Sequence, residues 1–158
     1  MKASPAGARW SGLYAIRRFR VEDLPQVTRL VDAIFREKYE DIMYLNLFNS
    51  WPDGFLVVEY SGQIVAFLLG MVSAPGQVRV LLLGVTQPFW SRGLGTQLLW
   101  AFMRNAQMVP ADYITLEVRM SNSRAMSFYY RHGFAVTGMI PNYYKDGESA
   151  HVMGRSLR

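Results

Sequence analysis

The sequence predicts one α/β domain built on a mixed, mostly antiparallel sheet of about seven strands, flanked by about four helices. Three observations carry this. Segments of strand and helix periodicity follow one another in the order β, α, α, β, β, β, α, β, α, β, β. Short turns at 61–62 and 74–76 join neighbouring strands as an antiparallel meander. No repeat, linker or low-complexity block interrupts 158 residues, of which 51% are hydrophobic and 18% charged.

Residues 1–12 read as a flexible arm, and the domain is expected to run from 13 to 158. "LYAIRRF" then alternates like a first strand. "VEDLPQVTRLVDAIFREKY" has acids at its start and Leu24, Val27, Leu30, Val31, Ile34 and Phe35 at helical spacing, so it is an amphipathic helix. "EDIMYLNLFNSW" makes a second, short helix stopped by Pro52, Asp53 and Gly54. "FLVVEY", "QIVAFLLGMVS" and "QVRVLLLGVTQ" are three strands. A helix to about Met108 carries Leu94, Leu98, Leu99 and Phe102 on one face. "YITLEVRM" is a strand, "NSRAMSFYYRHG" a helix closed by Gly133, and "FAVTGMI" a strand. The loop "PNYYKDGE" leads to the last strand, "SAHVMGRSL".

Composition narrows the function. The absence of cysteine excludes a disulfide framework, a thiolate metal site and a cysteine nucleophile. His132 and His151 lack metal-ligand spacing, so no metal is expected and neither histidine receives a role. The longest nearly pure apolar run, "IVAFLLGMVSA", has 11 residues, well short of the ~20 that cross a bilayer. With no hydrophobic leader in "MKASPAGARWSG", the expectation is a cytoplasmic protein without a membrane partner. A net charge of +5 favours phosphate-bearing ligands or a polyanionic neighbour such as the ribosome. The basic residues are scattered apart from "IRRFR" at 16–20, so direct nucleic-acid binding is not expected.

"WSRGLGTQLL" at 90–99 sets two glycines one residue apart where a strand gives way to a helix. Bare backbone there lets N–H groups point at an anion, helped by the partial positive charge of the helix N-terminus. The dinucleotide fingerprint would need a third glycine where Leu98 stands, and a P-loop would need Gly-Lys-Ser/Thr, which is absent.

"LGVTQPFWSRGLGTQLL" resembles the acetyl-CoA signature Q/R-x-x-G-x-G/A of the Gcn5-related N-acetyltransferases (GNAT). "LEVRMSNSRAMSFYYRHGF" is similar to that superfamily's second signature. "NYYKDGESAHVM" resembles the C-terminal signature of its protein N-terminal acetyltransferase branch, which includes the ribosomal-protein-alanine and archaeal enzymes. The resemblance spans roughly 14 to 157 and implies a GNAT fold in which a splayed strand pair holds acetyl-CoA. It implies that Ser91, Arg92, Gly93, Leu94, Gly95 and Thr96 hold the CoA pyrophosphate, mostly through main chain, and that Leu83 and Val85 lend main-chain groups to the pantetheine arm. Trp90 stands where the family has Gln or Arg.

The same resemblance assigns Glu117 as general base and Tyr129 as the acid near the CoA sulfur. Asn122 becomes a pantetheine contact that also reads as a helix N-cap. Tyr143 and Tyr144 border one side of a peptide groove, and Glu37 and Tyr39 the other. Physical chemistry gives each a plainer alternative. Glu117, in a strand taken as apolar on its face, would pair with a neighbouring strand or with Arg119. Tyr129 would be helix packing; Tyr143 and Tyr144 would be core residues. Glu37 and Tyr39 would be a solvated charge and a helix-end ring. Tyr130 is taken as structural.

An α-amino group at pH 7 costs about 1 kcal/mol to deprotonate, a lysine about 4.6. A weak base therefore serves an N-terminus more easily. The expected reaction is transfer from acetyl-CoA to the α-amine of protein or peptide N-termini, by direct attack in a ternary complex. The alternatives are a lysine or small-amine acetyltransferase, and a CoA-binding or ribosome-associated module without turnover.

Overall fold

The computed structural model describes residues 14–158, so the arm at 1–12 lies outside the described residues. Seven strands appear in the predicted order: β1 (Tyr14–Arg18), β2 (Phe55–Tyr60), β3 (Gln63–Ala74), β4 (Gln77–Val85), β5 (Tyr113–Arg119), β6 (Ala135–Ile140) and β7 (Ala150–Ser156). Four α-helices accompany them: α1 (Leu24–Phe35), α2 (Asp41–Ser50), α3 (Leu94–Met108) and α4 (Ser123–Arg131). The sheet order is β1-β2-β3-β4-β5-β7-β6. It is mixed: β4 runs parallel to β5, while β1–β2, β2–β3, β5–β7 and β6–β7 are antiparallel. Among the described residues, seven strands and four α-helices match the expected numbers.

By its internal packing the chain forms two compact units. The first comprises the described residues up to Met71 with Leu82–Asn105; the second comprises Val72–Leu81 and Ala106–Arg158. In the first, α1 turns Val27 and Val31 into a core with Phe19, Tyr44, Phe55, Val57 and Phe67, and Leu24, Leu30, Ile34 and Phe35 pack against its edge. These are the apolar positions read from helical spacing. The helix ends sooner than "FREKY" suggests because Arg36 adopts left-handed backbone (φ 55°), which sends Glu37 to Glu40 into a loop. The β2–β3 turn places Ser61 and Gly62 at φ 49° and 80°, the pair of positive angles that a two-residue hairpin with right-handed twist requires.

In the second unit β5 alternates strictly. Ile114, Leu116 and Val118 are buried on one face, while Tyr113, Thr115, Glu117 and Arg119 stand half-buried on the other. Edge strand β6 is exposed along its whole length, and β7 joins it to β5.

Candidate active site

The first unit holds the glycine loop. A 3-10 turn at Gln87–Phe89 takes the chain out of β4, and α3 starts at Leu94. The Gln97 N–H donates to the Gly93 carbonyl (3.0 Å), which closes the first turn of the helix. The N–H groups of Gly93, Leu94 and Gly95 thus precede the helical ladder. Gly93 has φ 80°, and a Cβ built there would meet nothing within 4 Å. Ser91 is also left-handed, at φ 63°. Leu94 is buried, so only its main chain can serve a ligand, whereas Ser91 and Arg92 are exposed. Arg92 is steered by a hydrogen bond to the Tyr14 hydroxyl (2.6 Å) and lies 5.0 Å from the Phe89 ring centre. Trp90, 42% exposed, donates its indole N–H to the Val85 carbonyl (2.7 Å). At the position where the family has Gln or Arg, this chain therefore ties the loop back to the end of β4. Leu83 and Val85 are half-buried and lie beyond Val80, the last β4 residue paired with β5. In the α1–α2 loop the Tyr39 hydroxyl donates to the Glu37 carboxylate, and the Tyr39 ring meets Tyr44 edge-on.

The second unit holds the titratable cluster. Glu117 does not share its face of β5 with the strand's aliphatic residues, as the sequence suggested; Ile114, Leu116 and Val118 point the other way. Nor does it pair with Arg119, which is about 7 Å further along the same strand. Its partner is Arg79 on β4, which register places opposite Thr115. Arg79 donates from Nε (2.9 Å) and Nη2 (2.6 Å) to the same oxygen, Oε1. Oε2 accepts no hydrogen bond among the described residues. The Nη2 group also donates to the Tyr143 hydroxyl (2.9 Å). Sequence reasoning misses Arg79, although a cation in the otherwise apolar "VRVLLLGV" is a visible signal.

Arg119 turns instead to the β6–β7 loop. It bonds Asp146 (2.9 Å) and Glu148 (2.9 Å), and its guanidinium lies 4.0 Å from the Tyr144 ring centre. Glu148 also accepts from the Ser121 N–H (2.8 Å), which fastens this loop to the start of α4. These Ser121 and Arg119 bonds hold the Glu148 carboxyl below its usual range. Tyr143 and Tyr144 meet edge-on at 5.0 Å. Tyr143 is exposed, and Tyr144 is half-buried.

Tyr129 is 8% exposed and packs edge-on against Phe134. Its hydroxyl makes no hydrogen bond among the described residues, yet it is not one of their sealed, partnerless polar atoms. Burial, reinforced by Tyr144, raises its pKa well above that of an ordinary phenol, so it is protonated at neutral pH. Asn122 caps α4 by accepting from the Ala125 N–H (3.1 Å), which leaves its amide nitrogen able to donate. Tyr130 is 52% exposed and so is not a core residue. His132 closes α4 with Nδ1 against the Phe128 carbonyl (2.7 Å), and Nδ1 of His151 is buried without a partner. Among the described residues no cluster of His, Asp and Glu could hold a metal, and no helix is long and apolar enough to cross a membrane.

A family model described as "Acetyltransferase (GNAT) family" matches residues 24–134. An uncharacterized N-acetyltransferase of Methanocaldococcus jannaschii is 34% identical over 87% of this chain and 88% of its own length. A protein of Sulfurisphaera tokodaii named N-alpha-acetyltransferase is 29% identical over 91% of this chain and 93% of its own. Ard1 of Thermoplasma volcanium superposes with a TM-score of 0.88 at 33% identity, covering 92% of this chain and 99% of that one. The signatures, the strand order and these likenesses agree, and the chain belongs to the GNAT acetyltransferase family.

Proposed function

We propose that this chain is an N-alpha-acetyltransferase, which moves acetyl from acetyl-CoA to the free α-amino group of protein or peptide N-termini by direct attack in a ternary complex. The observation that carries this is the row Glu117, Arg79, Tyr143: a carboxylate with one open oxygen stands in hydrogen-bonded series with an exposed tyrosine. Likeness to the N-alpha-acetyltransferase of S. tokodaii over nine-tenths of the chain supports the same substrate class.

The loop fits an anionic ligand, with helix-start N–H groups beside Gly93 and open space where a side chain would stand. Main-chain groups of Gly93, Leu94, Gly95 and Thr96, with Ser91 and Arg92, hold the CoA pyrophosphate. Leu83 and Val85 offer main-chain groups to the pantetheine arm, and the Asn122 amide donates to it. Acetyl-CoA supplies the acetyl group as a thioester. Glu117 takes the amine proton through Oε2, directly or across one water, and Tyr129 gives its phenolic proton to the departing sulfur. Tyr143 and Tyr144 contact the peptide, as do Glu37 and Tyr39. A cytoplasmic setting near ribosomes, where new N-termini emerge, belongs to the same proposal and accords with the basic charge.

The test is acetyl-CoA consumption against short peptides that vary at residue one. Each is paired with an N-terminally blocked, lysine-containing control, and wild type is compared with Glu117→Gln. Turnover confined to free N-termini and reduced in the variant is the expected result. Turnover on the blocked peptides would move the chain to the lysine class, and CoA binding without turnover would leave only a binding module.

A further inference from the structure

Among the described residues Arg79 hydrogen-bonds both the carboxylate assigned as base and the loop assigned to the peptide. We infer that Arg79 is a positioning residue: a single guanidinium aims Glu117 and seats Tyr143, so that base placement and peptide binding depend on each other. This rests on the roles proposed above for Glu117 and Tyr143.

A glutamate on a strand turns about three side-chain bonds and has two equivalent oxygens. Two donors of Arg79 close on Oε1 at 2.9 and 2.6 Å, which removes that oxygen from proton transfer and leaves Oε2 alone to face the amine. The second hydrogen of Nη2 is directed to the Tyr143 hydroxyl at 2.9 Å. The planar fork fixes the angle between the two contacts, so a shift of either partner is felt by the other. With the Glu117 side chain 13% exposed and that of Arg79 31%, water competes weakly for the inner bond and more for the outer one. The carboxylate end is thus the anchor, and the tyrosine end adjusts to the peptide. Lysine would keep the charge but could not make these three bonds in one plane.

The test is steady-state kinetics of the full chain with an N-terminally free peptide, for Arg79→Lys, Tyr143→Phe, their combination and Glu117→Gln. Arg79→Lys should lower kcat about 10-fold and raise the peptide KM about 5-fold, with the acetyl-CoA KM unchanged. Tyr143→Phe should raise the peptide KM with a smaller loss of kcat, since the Glu117 end stays anchored. The double variant should be no worse in peptide KM than Arg79→Lys, because both changes break one contact. Glu117→Gln should raise the peptide KM as well as lower kcat, since its amide oxygen accepts from Arg79 without the charge that strengthens the anchor. Wild-type kinetics in Arg79→Lys, or peptide KM effects that multiply in the double variant, would overturn the inference. Should Arg79→Lys fail to fold, Glu117→Gln decides: an unchanged peptide KM rejects the coupling. Failure of the base assignment shows separately, as undiminished kcat in Glu117→Gln.

Discussion

Two arginine–carboxylate pairs, one in each unit, use the same chemistry differently. In the first unit Arg17 grips Asp23 with two parallel bonds, Nη1 to Oδ2 at 2.7 Å and Nη2 to Oδ1 at 2.9 Å. The Arg20 N–H adds a third at 2.8 Å, and Nε of Arg17 goes to Glu59 at 2.9 Å. Both oxygens of Asp23 are taken. In the second unit Arg79 spends two donors on one oxygen of Glu117 and a third bond on Tyr143. A saturated carboxylate has nothing left for a substrate and acts as a joint between β1 and the turn before α1. A half-saturated one has fixed position and spare capacity, which is what a base needs.

The comparison breaks most visibly at Glu117. Glu117→Gln should cut kcat by about 100-fold or more, the range of a lost general base, while unfolding in urea shifts by less than about 1 kcal/mol, since Arg79 is partly open to water. Asp23 should behave in the opposite way. Asp23→Ala strands a mostly buried Arg17 and should cost about 3 kcal/mol of stability by urea titration, with the kcat of the folded fraction unchanged. Equal loss of activity in both variants would erase the distinction between joint and site.

Acid gives a milder version of the same contrast. Burial pushes the Asp23 carboxyl up, but the Arg17 bonds and the Arg20 N–H outweigh it and hold the pKa below the usual 3.8. A folded-state value depressed below the unfolded one contributes stability that is full above the unfolded value and is lost as pH falls through the folded one. The stability gap between wild type and Asp23→Asn should therefore be constant from pH 7 to about 5 and should shrink below pH 4. A gap that stays constant to pH 2 would mean that Arg17 does not stabilise the ionised form.

What the sequence made legible follows from locality. The order of elements, the core positions of α1 and the glycine loop all rest on periodicity or on neighbours within a few residues, and the strands and helices fall within a few positions of their expected ends. Asn122 as a cap was legible for the same reason. Arg79 and Glu117 are 38 residues apart, and they meet only because β4 and β5 are parallel neighbours in a set register. The hold of Arg119 on the β6–β7 loop likewise depends on β7 lying beside β5. Side-chain partnership across a sheet is decided by strand order, which single-sequence periodicity does not encode. That is why the candidate residues were visible but their partners were not.

The smallest effect tests the glycine loop, where function rests on backbone rather than on paired side chains. Gly93 holds φ 80°, and a Cβ there has open space, so a substitution meets no clash in the chain itself and is penalised only by conformation. A left-handed angle costs an ordinary L-residue about 1–2 kcal/mol, which as a shift away from the binding-competent loop becomes about a 5- to 30-fold rise in the acetyl-CoA KM for Gly93→Ala. Asparagine enters this region more easily, so Gly93→Asn should lose less, and β-branched Gly93→Val more. Ser91 already sits at φ 63°, so the loop tolerates one such residue and owes part of its shape to its surroundings. The peptide KM should stay at its wild-type value throughout. A rise in peptide KM that tracks the acetyl-CoA effect would mean that the loop shapes both substrates, and the assignment of backbone to cofactor and side chains to peptide would need redrawing.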